Sequence, residues 1–339
     1  MQLKINFHHF NLQMQHPFGI SRSVHTVQPT FIVELEANGK KGYGEATQNR
    51  YYNVTPENLE AGLLQLQPEI EKYPFTTPED FYDNFLFPRL KNFRFLMAAI
   101  DEAANDLYGK LQGKPLWQIW GYDIDNIPLS TYTIAIDSIE VMKQKLLEKP
   151  WPVYKIKLGT EHDIEIVKAL REITDKPFRV DANTGWSVEQ TIENSKILKE
   201  LGVEFIEQPL PYDQYEAMRE VKKHAVLPVI ADESSRTEDD IEKCAIGFDG
   251  VNVKLVKAGG ITPARRMLLQ ARQMGLRTMV GCMTESSIGI SAAAQLLPLC
   301  DYADLDGAIL LKNDIASGVQ LKDGKFIFPD VPGTGSQLK

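Results

Sequence analysis

The sequence has little cysteine and no long apolar run, and each shortage excludes a class of protein. Three scattered cysteines in 339 residues cannot form a disulfide framework, and no Cys/His cluster has the spacing of a zinc site. No apolar stretch approaches the roughly 18 residues of a membrane helix. Residues 1–7 alternate like a strand and lack the apolar core of a signal peptide. These features predict reduced thiols and a cytoplasmic protein.

A basic surface is missing as well. The chain has 37 Lys and Arg against 46 Asp and Glu, for a formal net charge of −9. An acidic chain without a basic stripe argues against nucleic acid and against anionic membranes as partners. The hydrophobic share of 43% is that of an ordinary globular protein. A small-molecule ligand is therefore the expected partner, and a homo-oligomer is compatible with this composition.

Charged residues recur at a nearly constant spacing in the second part of the chain. Lys157, Asp181, Glu207, Asp232 and Lys254 follow one another at intervals of 22 to 26 residues, and each ends a short apolar run. A strand, a helix and two loops take about that many residues in a (β/α)₈ barrel of roughly 250 residues. The spacing predicts a ring of polar groups at the carboxyl ends of the strands, where barrel enzymes carry their active sites.

The chain divides into two patterns and a tail. Residues 126–312 alternate strands and helices, which predicts parallel strands, with eight strand candidates at 129–136, 153–158, 178–181, 203–207, 227–231, 249–254, 276–281 and 301–305. Residues 1–125 form an α+β pattern, with strands near 2–12, 30–37 and 40–45 and helices at 56–72, 78–87 and 94–110, the last ending near Gly109. We expect the Gly/Pro-rich tail, 313–339, to pack back on the N-terminal domain.

Three carboxylates on consecutive strands suit a hard divalent cation. Mg²⁺ takes oxygen ligands in an octahedron and leaves positions for water or substrate. Asp181, Glu207 and Asp232 would supply three of those ligands, and without a cation they would repel one another at close range. Taken singly, each could instead cap the helix that follows its strand.

The lysines are placed differently. Lys155 and Lys157 share one face of the second barrel strand, and Lys254 lies on the sixth strand, on the opposite side of an eight-stranded barrel. A substrate on the metal would have one lysine on each face, which suits removal of a proton α to a carboxylate and its return from the other side. Such a base needs a lowered pKa, which a neighbouring ammonium such as Lys155 and the metal would promote. The alternative, an ordinary surface lysine, is the prediction for Lys257.

The motifs around these residues resemble the enolase superfamily, muconate lactonizing subgroup. They are Lys155-Ile156-Lys157, Asp181-Ala182-Asn183, Glu207-Gln208-Pro209, Asp232-Glu233-Ser234 and Asn252-Val253-Lys254, followed by Gly259-Gly260. The resemblance implies a (β/α)₇β TIM-type barrel with an N-terminal α+β capping domain. It also implies one Mg²⁺ per subunit on Asp181, Glu207 and Asp232, with Lys157 and Lys254 as the acid/base pair. Lys155 would tune Lys157, and Asn183 and Glu233 would lie near the metal in a supporting role.

A pair of aspartates after the last strand candidate bears on the substrate. Asp304 and Asp306 are two residues apart and face the same way, although Asp306-Gly307 is also a common turn dipeptide. In the barrel this Asp-x-Asp resembles the dipeptide epimerases, which are isomerases of amino acid derivatives, where it holds the substrate's α-ammonium group. By the same resemblance, Cys282, Met283 and Thr133 are expected near the substrate. The implied reaction is Mg-dependent 1,1-proton transfer at the C-terminal residue of an Ala-Xaa dipeptide.

The second side chain of the dipeptide stays open. Residues 17–28 resemble the loop that closes these sites, and Arg22 is expected either to pair a substrate glutamate or to have no ligand role. Ala-Glu, Ala-Ala and Ala-hydrophobic dipeptides therefore remain candidates, with a role in murein peptide metabolism by analogy. The alternatives are o-succinylbenzoate synthase, muconate cycloisomerase, N-acylamino acid racemase or a non-catalytic metal- and ligand-binding barrel. The first three act on substrates without a free ammonium group.

Overall fold

The N-terminal domain is an antiparallel sheet covered by helices. The computed structural model describes residues 1–20 and 23–339. The sheet follows chain order, β1 (Lys4–Ile20), β2 (Ser23–Ala37) and β3 (Lys40–Thr47), and the helices are α1 (Pro56–Ile70), α2 (Pro78–Phe81), α3 (Phe87–Leu90), α4 (Arg94–Gln112) and α5 (Leu116–Ile119). A Cβ on Gly44 of β3 would lie 2.1 Å from the Ala99 carbonyl oxygen. Glycine at this position thus lets α4 pack directly on the sheet.

Two predicted helices have different boundaries in the structure. The helical segment expected at 78–87 is present and continues to Leu90, but a π-helical turn, Tyr82–Leu86, lies between α2 and α3. Pro88 offers no backbone N–H, so the regular hydrogen-bond pattern of an α-helix cannot continue through it. The helix expected to end near Gly109 continues to Gln112 and ends at Gly113, which has a φ of 68°. Gly109 lies inside α4, and the close approach of the chain at Gly333 explains why this residue is a glycine. A Cβ at this position would lie 2.5 Å from Gly333 Cα.

The second domain is the predicted barrel. Within residues 23–339, eight parallel strands pair in chain order: β4 (Tyr132–Ile134), β5 (Tyr154–Lys157), β6 (Phe178–Asp181), β7 (Val203–Glu207), β8 (Val229–Ala231), β9 (Gly250–Lys254), β10 (Arg277–Gly281) and β11 (Tyr302–Asp304). A parallel bridge between Ser130 and Ala303 joins the two ends of the sheet. Helices follow the first seven strands and a 3₁₀ turn follows the eighth, which confirms the (β/α)₇β barrel.

The barrel helices lie between the strands in the expected alternation. They are α6 (Ile139–Glu148), α7 (Asp163–Arg171), α8 (Val188–Glu200), α9 (Tyr215–His224), α10 (Glu238–Gly247), α11 (Leu255–Ala258), α12 (Ile261–Gln273) and α13 (Ser287–Ala294), with 3₁₀ turns at Leu297–Leu299 and Gly307–Leu310. Their apolar faces pack on strands made of buried residues such as Phe178, Val180 and Ile206. Parallel strands covered on both sides read as continuous apolar runs, which explains why each strand was visible in the sequence.

Glu45 joins the two domains. Its carboxylate accepts hydrogen bonds from Ser286 N at 3.0 Å, Ser286 Oγ at 2.6 Å and Gly289 N at 3.1 Å. These groups lie at the amino end of α13, so a buried acid of β3 caps a barrel helix. The contact fixes the capping domain over the carboxyl ends of the barrel strands.

Two further segments were predicted from the sequence, the active-site loop at 17–28 and the tail at 313–339. The segment expected as an active-site loop, 17–28, includes the end of β1 and the start of β2, and the two strands pair as far as Ile20 and Ser23. Arg22 lies outside the described residues. The tail forms β12 (Ala316–Ser317), β13 (Gln320–Lys322), β14 (Lys325–Ile327) and β15 (Gln337–Leu338). Its Thr334 N–H donates to Asp106 of α4 at 2.8 Å. In the described part of the chain, no helix combines the length and apolar character needed to cross a bilayer.

Candidate active site

Three carboxylates meet at the carboxyl ends of neighbouring strands. Asp181 ends β6, Glu207 ends β7 and Asp232 follows β8. All three are buried, and one oxygen from each lies within 4.8 Å of the others. Such an all-oxygen set of buried acids fits a hard divalent cation such as Mg²⁺. These are the three metal ligands expected from the sequence.

Polar neighbours hold the Glu207 carboxylate and the backbone at Asp232 in place. Asn252 Nδ2 donates to Glu207 Oε1 at 2.9 Å, and the Gln208 side chain accepts the N–H of Asp232 at 2.8 Å. Burial together with the charges of Asp181 and Asp232 raises the pKa of Glu207 to about 7. A divalent cation at this position would favour the ionised form of all three acids. Asn252 and Gln208 were not singled out from the sequence, although both lie within the quoted motifs.

The two expected acid/base lysines reach the carboxylates from opposite sides. Lys157 on β5 donates to Asp181 Oδ2 at 2.7 Å, and Lys254 on β9 donates to Asp232 Oδ2 at 2.9 Å. Burial alone would lower the pKa of Lys254, but the Asp232 carboxylate outweighs it and raises that pKa. Both lysines line the same cavity of about 570 Å³. A substrate in that cavity can therefore meet one ammonium or amine group from each side.

Lys155 lies deeper and links the cluster together. Its side chain is 1% exposed, and its Nζ lies 2.7 Å from Asp304 Oδ2 and 3.1 Å from Asp181 Oδ2. It also lies 2.7 Å from Glu207 Oε2, an ion pair that is not aligned as a hydrogen bond. Burial favours the neutral acid at Asp181, but Lys157 and Lys155 outweigh it and hold the pKa of Asp181 at about 2.

Asp304 and Asp306 lie on the same side of the cavity. Thr131 Oγ1 donates to Asp304 Oδ1 at 2.5 Å, and Thr133 N donates to Asp306 Oδ2 at 2.6 Å. Burial and the charge of Asp304 raise the pKa of Asp306 to about 7. Both carboxyl groups line the cavity together with Thr133. Thr131 was missed in the sequence, although it has the same strand parity as Thr133.

The roof of the cavity comes from the capping domain and the loop after β10. Cys282 and Met283 line it, as expected from the sequence, and so do Asn183 and Glu233. Gln28, at the end of the segment 17–28 expected near the site, also lines it. Other capping residues that line it were not predicted, and they are Gln48, Asn49, Arg50, Tyr51 and Tyr52. They lie in the connection after β3, where the sequence offers no strand-end signal.

The prediction for Lys257 is wrong. Its side chain is 2% exposed and donates to the carbonyl oxygen and to the carboxylate of Asp232. The lysine follows β9 on the short helix α11, which turns its side chain inward towards Asp232. Lys257 thus helps to fix Asp232 and is not a surface residue.

The fold and this site define a barrel enzyme of the enolase type, with three clustered acids that fit a divalent cation and lysines on either side of them. The chain belongs to the mandelate racemase/muconate lactonizing enzyme family. The family model for the N-terminal domain matches residues 4–121, and the one described as enolase C-terminal domain-like matches residues 138–339.

Similar proteins are named as epimerases. Two "L-Ala-D/L-amino acid epimerases" are each 52% identical, one from a Maribacter species (99% of this chain, 99% of the relative) and one from Flavobacterium johnsoniae (99% and 100%). The structure also matches a dipeptide epimerase from Cytophaga hutchinsonii complexed with Mg and the dipeptide D-Ala-L-Val. That match has a TM-score of 0.93 and 26% identity, and it covers 100% of this chain and 96% of the other.

Proposed function

We propose that this protein is a dipeptide epimerase that uses Mg²⁺ to invert the C-terminal residue of an Ala-Xaa dipeptide. The observation that carries the proposal is the pair Lys157 and Lys254, which reach one cavity from β5 and β9 across the carboxylate cluster. Inversion requires a proton to leave one face of the α-carbon and to return to the other face. Two lysines on opposite sides meet that requirement.

Asp181, Glu207 and Asp232 would hold one Mg²⁺ per subunit. When bound, the ion supplies electrostatic stabilisation for the charge that develops on the substrate carboxylate. Lys157 and Lys254 take the roles of base and acid, which exchange with the stereoisomer that enters. Lys155 orders Asp181, Glu207 and Asp304 around its ammonium group and adds a positive charge near Lys157.

The substrate's α-ammonium group is assigned to Asp304 and Asp306. Both carboxyl groups are buried and line the cavity on the side of β4 and β11. An ammonium group needs a charged partner, and Asp304 meets this need better than Asp306. Lys155 lowers the pKa of Asp304 against the effect of burial, whereas the pKa of Asp306 is raised to about 7. The N–H of Thr133 holds Asp306 in place. Substrates without an ammonium group would leave the carboxyl groups of Asp304 and Asp306 without a substrate cation as partner.

The proposal also covers the substrate range, the cellular location, the oligomeric state and the metabolic role. The relatives' name, with its unspecified second amino acid, supports a range of Ala-Xaa dipeptides over a strict preference for glutamate, and Arg22, Cys282 and Met283 are proposed contacts of the dipeptide. A cytoplasmic location, a homo-oligomeric state and a role in murein peptide metabolism belong to the same proposal. The free cysteines support a reducing compartment.

The test is exchange of the α-proton in D₂O with Mg²⁺, followed by NMR for a panel of Ala-Xaa dipeptides. We expect deuterium at the C-terminal α-carbon and formation of the second stereoisomer, both abolished by a chelator. N-acylated amino acids and dicarboxylic acids without an ammonium group are the comparison substrates. If no dipeptide takes up deuterium, or if N-acyl substrates react faster than dipeptides, the proposal is wrong.

A further inference from the structure

A second cavity lies behind the metal-binding acids, between the capping domain and the barrel. It has a volume of about 260 Å³ and is bounded by the chain after β3, the amino end of α4 and the barrel residues Arg236 and Lys257. Asn53 and Asn92 are exposed and mark its mouth. Tyr52 lines this cavity and the active-site cavity alike.

The walls of this cavity carry three positive side chains, Arg94, Arg236 and Lys257. Lys257 is already bonded to Asp232. Among residues 1–20 and 23–339, neither Arg94 nor Arg236 has a carboxylate within the 4.0 Å of a salt bridge. Buried or half-buried arginines normally have an anionic partner, so two unpaired ones in one cavity call for a ligand.

The contacts around Arg94 and Arg236 leave their guanidinium groups available to bind an anion. The Arg236 guanidinium lies over the Tyr212 ring at 4.1 Å, and its buried Nε has no hydrogen-bond partner. Asp240, whose charge reaches Arg94, uses its Oδ2 to accept the backbone N–H groups of Arg236 and Thr237. Burial and the nearby Arg236 charge together lower the pKa of Arg94. An anion between the two guanidiniums would relieve their repulsion.

The amino end of α4 adds to the positive potential. The helix has 19 residues, no side-chain cap at Phe93 and no acid in its first turn. Its first N–H groups have no intrahelical acceptor, and the helix dipole favours an anion at this end. In the described capping domain, the two helices that start after Thr, α1 and α2, satisfy this end with a side-chain oxygen. At α4 no side chain of the cap residue accepts these N–H groups, so a bound anion could accept them.

We propose that this second cavity binds a small phosphate-bearing anion through Arg94, Arg236 and the amino end of α4. Two guanidinium groups and backbone N–H donors match the several oxygens of a phosphate better than the two of a carboxylate. The volume falls just below the roughly 300–1,000 Å³ of pockets for drug-sized ligands, which restricts the ligand to inorganic phosphate or a small organic phosphate. Tyr52, Phe93 and Phe95 would face the organic part.

The binding is tested without dipeptide, so its outcome is independent of the epimerase proposal. Inorganic phosphate and glycerol 3-phosphate are titrated into the Mg²⁺-loaded protein, with chloride at matched ionic strength, and the Tm and the heat of binding are measured. We expect a saturable rise in Tm with phosphate that chloride does not give. Tighter binding of glycerol 3-phosphate would identify an organic phosphate as the ligand, and equal binding would identify the phosphate group alone.

Variants connect the binding to the cavity. Arg94→Gln and Arg236→Gln should each weaken phosphate binding by roughly tenfold, the size expected for a charge-assisted hydrogen bond, and the double variant should abolish it. Arg89→Gln is the matched control, because Arg89 pairs with Glu69 outside the cavity. In phosphate-free buffer the double variant should be at least as stable as the wild type. A wild type without saturable binding, or a double variant that binds equally well, would overturn the proposal.

Discussion

Lys155 Nζ lies 2.7 Å from Asp304 Oδ2 and links the last barrel strand to the acids of the candidate metal site. Asp304 is buried, and burial alone would favour its neutral form, but Lys155 and Lys157 reverse this and lower its pKa. The acid proposed to bind the substrate's ammonium group therefore stays charged although it is buried. The same lysine contacts Asp181 and Glu207, so the acid proposed to bind the substrate and the acids proposed to bind the metal share one buried charge.

Asp304→Asn tests the role of this acid in specificity. The variant keeps an oxygen that can accept the Thr131 hydroxyl but loses the charge that would pair the ammonium group. We expect kcat/KM for an Ala-Xaa dipeptide to fall by roughly 10- to 200-fold, the effect of one charge-assisted bond. Steady-state kinetics should show a far smaller loss for acids without an ammonium group. Equal losses for both substrate classes would remove Asp304 from substrate recognition.

Replacing Lys157 or Lys254 should separate removal of the α-proton from its return to the other face. Lys157→Met and Lys254→Met should each reduce epimerisation by about 10²–10⁴-fold, as expected when a general acid or base is lost. Each variant should still exchange the α-proton of one stereoisomer in D₂O, and the two variants should differ in which one. NMR of both stereoisomers measures this.

Lys168→Met, which removes an exposed lysine of α7, is the control for the lysine variants and should keep wild-type activity. Exchange of both stereoisomers by Lys157→Met or Lys254→Met would show that the missing lysine is not one of the pair.

The site was largely predictable where side chains follow strand ends. Asp181 and Glu207 end their strands in the structure as in the sequence, because a buried parallel strand is a plain apolar run and its first polar residue marks the rim. Lys257 lies off that pattern, three residues after Lys254, and its burial depends on the Asp232 carbonyl group. A contact between a short helix and a residue that follows a strand leaves no periodic trace in the sequence.

The capping residues of the site were missed for a related reason. Gln48, Asn49 and Tyr52 lie after β3 in a segment without helical or strand periodicity. They reach the cavity because the capping domain packs on the barrel, through contacts such as those of Glu45 with α13 and Asp101 with Thr262. Gly109 shows the same limit within a helix, since the close approach of Gly333 explains it better than a helix end does. Long-range packing therefore decides what local patterns leave open.

Glu45→Ala should weaken the attachment of the capping domain. The change leaves the buried N–H groups of Ser286 and Gly289 without their acceptor, which costs roughly 1–3 kcal/mol per group. Removal of a buried carboxyl group, whose pKa burial raises, offsets part of that loss. We expect the free energy of unfolding in urea to fall by about 1–3 kcal/mol.

Two comparison variants belong to the Glu45 measurement. Glu45→Gln retains an acceptor oxygen and should lose less than Glu45→Ala, while Glu161→Ala, at an exposed loop position, should be neutral. Unchanged stability in Glu45→Ala would mean that the contact does not hold the two domains together.

Asp101 should give the protein a pH-dependent stability at the same domain boundary. Its Oδ2 accepts the N–H of Thr262 at 2.9 Å, and burial raises its pKa from 3.8 to about 7. Between these two values the unfolded chain has released the proton and the folded one still holds it. Stability from this group therefore falls as the pH rises from 3.8 to about 7, by at most ~1.4 kcal/mol per pH unit.

Asp101→Asn keeps the acceptor for Thr262 and removes the proton. Relative to this variant, the wild type should lose stability steadily between pH 4 and about 7 and then run parallel to it. Urea unfolding at a series of pH values measures the difference, and Asp125→Asn at the exposed surface should show none. A constant difference between Asp101→Asn and wild type over the whole range would mean that Asp101 does not titrate between those values.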